Sequence, residues 1–167
     1  TPLHSRPYSM AGLPGDEVLE FHIQLLPKGL VSGYVAGQLK VGDTVKVSGP
    51  LGAAYLRQRY TGPILCVAGC TGLAPILSVV RGAVAAGMQN PIHLYFGVRS
   101  PRELYGLPWL EHLRELHPSL RVHVVVASGA DTATQRPGLV TQAIAQDHAS
   151  LRGWHAYLRG SPPMVET

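Results

Sequence analysis

The sequence predicts an α/β domain preceded by a shorter β-rich segment, and three observations predict it. From Gly62-Pro63 onward, short apolar runs alternate with amphipathic stretches of helical period. Ahead of that point the apolar period is two, the spacing of a half-buried strand. The 19 glycines and 14 prolines fall between the apolar runs, where they read as turns rather than as low-complexity sequence. The predicted boundaries are a β-rich piece over residues 1–58 and an α/β piece over residues 62–167.

In the first piece, Leu19-Glu20-Phe21-His22-Ile23-Gln24-Leu25 places apolar residues at odd positions and polar ones at even positions, a strand pattern. Val45-Lys46-Val47 repeats it in short form after Gly42-Asp43. Between them Ser32, a favoured N-cap, predicts a short helix through Leu39. Three strands at most are too few to close a barrel on their own.

In the second piece, Ile64–Ala68 reads as a buried strand stopped by Gly69. Pro75 suits an early helical position, and Ile76, Val79, Val80, Ala83 and Val84 form one stripe ahead of Gly87. His93–Val98 is a second strand. A helical stretch follows with Leu104, Leu107, Leu110 and Leu113, restarted at Pro108 and ended before Pro118. Val122–Ala127 is a third strand and Leu139–His148 a helix with Val140, Ala143 and Ile144 inward. His155–Leu158 is a fourth strand, ended by Gly160. Such alternation predicts a parallel sheet with helices on both faces.

Composition excludes several classes. Hydrophobic residues make up 46% of the chain and charged ones 14%, a core-forming rather than a disordered balance. The net charge of +4 is spread over scattered Lys and Arg, so no nucleic-acid partner is expected. No apolar run approaches the roughly 20 residues of a membrane span, and Thr1-Pro2-Leu3-His4 has no signal-peptide pattern. A cytoplasmic protein that does not enter membranes, with its natural start upstream of Thr1, is expected. Cys66 and Cys70 alone build neither a disulfide framework nor a four-cysteine iron–sulfur site. None of the eight histidines stands in an H-x-x-x-H pair with an acid, and Gly-x-Ser-x-Gly is absent, so neither a metal site nor a hydrolase elbow is expected.

Four clusters at element ends carry possible chemistry. Arg6-Pro7-Tyr8-Ser9 offers a cation, an aromatic face and a hydroxyl, which suit a flat phosphate-bearing ligand; an ordinary edge strand fits the same residues. Gly29-Leu30-Val31-Ser32-Gly33 brings a flexible loop to a helix start, an anion site or simply a capped helix. Gly69-Cys70-Thr71-Gly72-Leu73-Ala74-Pro75 joins strand to helix with small residues that let a backbone approach a pyrophosphate; a tight turn is the plainer reading. Gly160-Ser161-Pro162-Pro163-Met164 follows the last strand and is weak alone.

The order of these clusters, with Gly49-Pro50-Leu51-Gly52 and Tyr95-Phe96-Gly97-Val98-Arg99 between them, resembles the ferredoxin–NADP reductase superfamily along nearly the whole chain. Arg6–Gly12, Gly49–Arg57 and Leu94–Ser100 are most similar to reductase components of naphthalene-type aromatic-ring dioxygenases. The resemblance implies a partial antiparallel FAD-binding β-barrel over residues 1–58. A Rossmann-like parallel NAD(P)-binding domain over residues 62–167, truncated at its C-terminus, would follow, with strand order 3-2-1-4-5. It implies FAD and NAD(P)H as cofactors and a ferredoxin or an oxygenase iron–sulfur protein as partner.

By position, Arg6 would neutralise the FAD pyrophosphate, with Pro7 beside it. Tyr8 would stack on the isoalloxazine and Ser9 would bond flavin N5, the two catalytic positions. Gly29, Val31 and Ser32 would hold the pyrophosphate. Gly69, Thr71 and Gly72 would face the nicotinamide nucleotide, joined at the switch point by Gly160, Ser161 and Pro162. Arg99 and Ser100, at the end of the second strand, suit a ribose 2′-phosphate, so NADPH is expected to be accepted alongside NADH; Arg99 stacking on adenine or facing water fits as well.

Two positions depart from the family's pattern, with Cys70 where Gly is usual and Arg159 where Cys is usual. Barrel strands ahead of Arg6, a last sheet strand after Thr167 and a four-cysteine ferredoxin domain are expected of the family. A reductase of phenol- or xylene-type monooxygenases, or a non-catalytic nucleotide-binding remnant, remains an alternative.

Overall fold

The computed structural model describes residues 4–165. The outermost residues of both predicted pieces, 1–3 and 166–167, lie outside the described residues.

A five-stranded parallel sheet organises the second piece: β1 Ile64–Gly69, β2 Ile92–Val98, β3 Leu120–Val126, β4 Arg136–Pro137 and β5 His155–Arg159, in spatial order β4-β3-β2-β1-β5. All six residues of β1 are buried, as an inner parallel strand covered on both faces requires. Its register runs from Ile64 opposite Ile92 to Gly69 opposite Gly97, and from Ile64 opposite His155 on the other side. The chain thus winds outward from β1 to β4, then returns to place β5 on the far side of β1. The first and fourth expected strands are therefore neighbours. The two-residue β4 was not expected; its Pro137 sits at the sheet edge, where a missing N–H breaks no inner ladder.

Helices α2 Leu73–Ala85 and α3 Leu107–Leu116 cover one face of the sheet. Leu73, Ile76, Val80, Leu110 and Leu113 pack there on Ile64, Leu94 and Phe96. Cutting any of the larger of these to Ala costs about 2–5 kcal/mol, because a cavity adds to the lost transfer energy. Helix α4 Val140–Asp147 covers the other face through Val140 and Ala143 on Leu65, Val67, Tyr95 and Val125. That face also carries a ring cluster: His123 stacks on Tyr95 at 4.4 Å, and His93 meets His148 and Trp154 at 5.1 Å each. The Tyr95 hydroxyl donates to Asp147 at 2.8 Å, and Arg136 pairs with the same carboxylate at 2.7 Å. Burial, then neighbouring positive charge, holds the ring nitrogens of His93 below the usual histidine range. Burial does the same for His123.

The antiparallel barrel segment expected of residues 1–58 is not present among the described residues. Neither Leu19–Leu25 nor Val45–Val47 forms a strand; Met10 and Phe21 make a single antiparallel bridge. Of the alternating side chains, Leu19 is 60% and Leu25 61% exposed, and Phe21 and Ile23 are only half-buried. A strand exists only where a second strand accepts its hydrogen bonds. Helix α1 runs Leu30–Gly37, with Gly29 rather than Ser32 at its N-cap. The Leu104 helical stretch is also shorter than expected. Pro101–Glu103 is a 3-10 turn, Leu104 is extended, and α3 starts only after Gly106, whose φ of 69° lies in the left-handed region.

Candidate functional site

β1 and β5 end side by side, and the segments that leave them pack together. After Gly69 the chain makes a 3-10 turn over Cys70–Gly72 and enters α2 directly. Cys70 takes a φ of 48°, the left-handed conformation that costs a non-glycine residue strain. After Arg159 the chain turns through Gly160 and Ser161 into the short α5 Pro162–Val165. The glycines allow this contact. A Cβ on Gly72 would lie 2.7 Å from the Arg159 carbonyl carbon. One on Gly69 would lie 2.7 Å, and one on Gly160 2.9 Å, from Met164 Sδ. Gly69, Thr71, Gly72, Gly160, Ser161 and Pro162 are thereby brought to one place, at the carboxyl ends of parallel strands where the winding direction reverses.

Arg99 and Ser100 follow β2 on the same sheet edge, and the Cys70–Gly72 turn reaches them through Glu103. The Cys70 thiol donates to Glu103 Oε2 at 3.7 Å, and the Arg99 backbone N–H donates to the same oxygen at 3.0 Å. Burial, then the Glu103 charge, pushes the Cys70 thiol up, which keeps its proton available. The fully buried Cys66 is pushed up to about 12 by desolvation and is inert. Beside β5, a groove of about 320 Å³ is lined by Arg57, Tyr157, Leu158 and Arg159. Arg57 lies 3.6 Å over the Tyr55 ring, its backbone N–H donates to the Tyr157 hydroxyl at 2.8 Å, and its buried Nη1 has no hydrogen-bond partner among the described residues. Arg159 Nη1 donates to the Leu158 carbonyl at 2.9 Å.

Residues 4–58 hold the other two clusters. Arg6, Pro7, Tyr8 and Ser9 are exposed, and Arg6 Nη1 donates to the Ser5 carbonyl at 2.8 Å. At α1 the first helical bond runs from Gly33 N–H to the Gly29 carbonyl at 2.8 Å, so the N–H groups of Leu30, Val31 and Ser32 precede the helical ladder. The Ser32 hydroxyl is turned the other way, buried and accepting from Leu26 N–H at 3.2 Å. No hydrogen bond among the described residues joins these two clusters to each other or to the Gly69–Gly72 turn.

A clamp that the sequence did not reveal positions the first of them. Ser78 Oγ on α2 donates to the Gly12 carbonyl at 2.8 Å. Arg81 Nη1 donates to the Ala11 carbonyl at 3.1 Å and pairs with Glu20 at 3.1 Å. Ala11 is fully buried, two residues beyond Ser9. His22 Nδ1 lies 3.0 Å from the Tyr105 hydroxyl. These pairs are separated by 61 to 83 positions, so no local signal announces them.

Comparisons with known proteins follow this division. Residues 66–167 match the family described as oxidoreductase NAD-binding domain, and residues 2–55 the oxidoreductase FAD-binding domain. The chain is 57% identical, over 99% of its length and 51% of the relative's, to the ferredoxin–NAD(P)(+) reductase component of a naphthalene 1,2-dioxygenase system of Pseudomonas putida. It is equally identical, over the same shares, to the reductase component serving naphthalene 1,2-dioxygenase and salicylate 5-hydroxylase systems in a Ralstonia species. The crystal structure of an Amycolatopsis cytochrome P450 reductase superposes with a TM-score of 0.88 at 37% identity, over 95% of this chain and 49% of that one. The chain spans about half the length of the curated relatives it matches.

Proposed function

We infer the function from one premise: the chain belongs to the family of oxidoreductases that join an FAD-binding domain to an NAD-binding domain. It moves electrons from NAD(P)H through FAD to an iron–sulfur acceptor, a ferredoxin or the oxygenase itself, of an aromatic-ring dioxygenase system. The 57% identity to two naphthalene dioxygenase reductases favours this over the phenol- and xylene-type reductases. A cytoplasmic setting accords with it; among the described residues no helix is long and apolar enough to cross a membrane.

The observation that carries the reading is the packing of the Gly69–Gly72 turn against the Arg159–Gly160 turn at the switch point of the sheet. The backbone at the glycines and the start of α2 offer N–H groups there, and neither turn has an acidic residue of its own, although Glu103 accepts from the Cys70 thiol. That chemistry fits a dinucleotide's pyrophosphate. Gly69, Thr71, Gly72, Gly160, Ser161 and Pro162 would hold the nicotinamide half, and Arg99 and Ser100 the adenosine ribose.

The exposed Arg6–Ser9 set and the open N-terminus of α1 fit FAD in the same sense. Arg6 would meet phosphate, Tyr8 the ring face and Ser9 a ring nitrogen. Gly29 and Val31 would give backbone N–H groups. Ser32 would do the same through its backbone, since its hydroxyl closes the Leu26 turn. When bound, FAD supplies the conversion of a two-electron hydride donor into single electrons. The chain's own contribution is position and charge. The Ser78–Arg81 clamp holds the segment bearing Arg6–Ser9 against the domain bearing the nucleotide turns.

Purifying the intact protein and reading its visible spectrum tests this. A yellow flavin spectrum bleached by NADH under anaerobic conditions, with transfer to a one-electron dye, is the expected result. Colourless protein that binds nicotinamide nucleotides but passes no electrons would support the nucleotide-binding remnant instead.

A further inference from the structure

One edge of the Arg99 guanidinium is already taken by a carboxylate. Arg99 Nε and Nη2 lie 3.0 Å and 2.8 Å from Glu103 Oε1, and its backbone N–H donates to Oε2. With the Cys70 thiol on that second oxygen, Glu103 is held by a guanidinium, an amide and a thiol at once. Its side chain is 21% exposed, against 81% for Arg99. These donors, the Arg99 backbone N–H first, hold its carboxyl below the usual carboxylate range. Glu103 is therefore charged at neutral pH and fixed in place.

An exposed ion pair four residues apart contributes little to stability. Its effect on an arriving anion is larger. A 2′-phosphate carries about −1.5 to −2 charges and would need the donors of Arg99. Glu103 already occupies the Nε edge of that guanidinium and repels the phosphate. A ribose 2′-hydroxyl is neutral and meets no such repulsion, and it can donate to the carboxylate, the role an acid at the end of the second strand performs in dinucleotide sites.

We propose that Glu103 is a specificity-determining residue, which withholds Arg99 from a 2′-phosphate and so sets a preference for NADH over NADPH. This rests on the nucleotide site proposed above. It reverses the expectation from Arg99 and Ser100 alone, because those two residues do not reveal the carboxylate that neutralises the first.

The test uses the intact protein and two measurements. In steady-state kinetics, Glu103→Gln keeps the side-chain shape and removes the charge; the ratio of kcat/KM for NADPH to that for NADH should rise about tenfold, the size expected of surface charges of this magnitude a few ångströms apart. Glu103→Asp keeps the charge and should stay near the wild-type ratio. Adding Arg99→Ala to Glu103→Gln should remove most of the gain. By calorimetry, adenosine 2′,5′-bisphosphate should gain affinity relative to 5′-AMP in Glu103→Gln, with no turnover required. An unchanged ratio in Glu103→Gln, an equal rise in Glu103→Asp, or a rise that survives loss of Arg99 would each overturn the proposal while leaving the nucleotide site standing. Failure of both adenosine probes to bind the wild-type protein would remove the site itself and the proposal with it.

Discussion

Gly72→Ala separates backbone freedom from packing at the switch point. Gly72, the N-cap of α2, has φ −60° and ψ −12°, which alanine adopts without strain, so the reduced freedom of the unfolded chain alone predicts a gain of roughly 0.5–1 kcal/mol. The added Cβ, however, would sit 2.7 Å from the Arg159 carbonyl carbon and 3.1 Å from Arg159 Cβ. The first of these is backbone at the end of a strand and cannot swing aside. Overpacking of this kind costs about 1–3 kcal/mol. The clash should win, leaving a net loss of up to about 2.5 kcal/mol. Gly33→Ala is the internal control: Gly33 lies within α1, its Cβ would meet nothing within 4 Å, and only the propensity gain remains. Urea unfolding of both variants beside wild type gives the answer. The variants should shift the midpoint in opposite directions, and the KM for NADH should rise in Gly72→Ala as the two turns are forced apart. A Gly72→Ala protein as stable as Gly33→Ala would refute the reasoning.

Three further outcomes are expected. Arg6→Ala should weaken flavin retention about ten- to a hundredfold, since a charge-assisted phosphate contact contributes roughly 1.5–3 kcal/mol; equilibrium dialysis of FAD against variant and wild type checks it. Arg159→Cys should speed flavin reduction by NADH in anaerobic stopped flow, because a bulky cation beside the Gly160 turn opposes both close approach and the positive charge that nicotinamide gains; an equal or slower rate speaks against it. His93 and His123 are kept neutral by burial, so their folded-state pKa values lie below the unfolded value of about 6.5. Their contribution is complete above that pH and falls away as pH drops through the lowered folded values. Urea midpoints between pH 7.5 and 5 should therefore fall more steeply for wild type than for His93→Gln/His123→Gln, and parallel profiles would exclude these rings as the cause.

The inner sheet was legible because burial on both faces writes itself into the chain. Ile64–Ala68 and His93–Val98 are runs that only a covered strand can use, and both are strands to within a residue or so. Ile76, Val79, Val80 and Ala83 turn inward on α2 as their spacing requires. The alternation at Leu19–Leu25 has the same local signal but no strand beside it, and periodicity cannot report whether a partner exists. Ser32 misled because its hydroxyl bonds backward to Leu26 instead of capping forward, a choice made by the fold of the preceding turn. The Gly69–Gly72 and Gly160 segments could be placed at element ends from sequence, but their mutual contact depends on the return of β5 to the side of β1. Glu103 stands four residues after Arg99, a spacing visible in the sequence; the 3-10 turn that folds it back is not.

Helix α2 also serves as a ruler. It starts at the Gly69–Gly72 turn and, five and eight residues past Leu73, grips Gly12 and Ala11 through Ser78 and Arg81. At a rise of about 1.5 Å per residue, those grips stand roughly 7.5 and 12 Å along the axis from its first residue. One rigid rod therefore gauges the offset between the nucleotide turns and the strip that ends in Ser9. Inserting a single residue between Leu73 and Ser78 would lengthen the rod only slightly but rotate both grips by about 100°. A residue added to a loop beyond either end of this helix leaves that gauge unchanged, whereas one added in its first half does not.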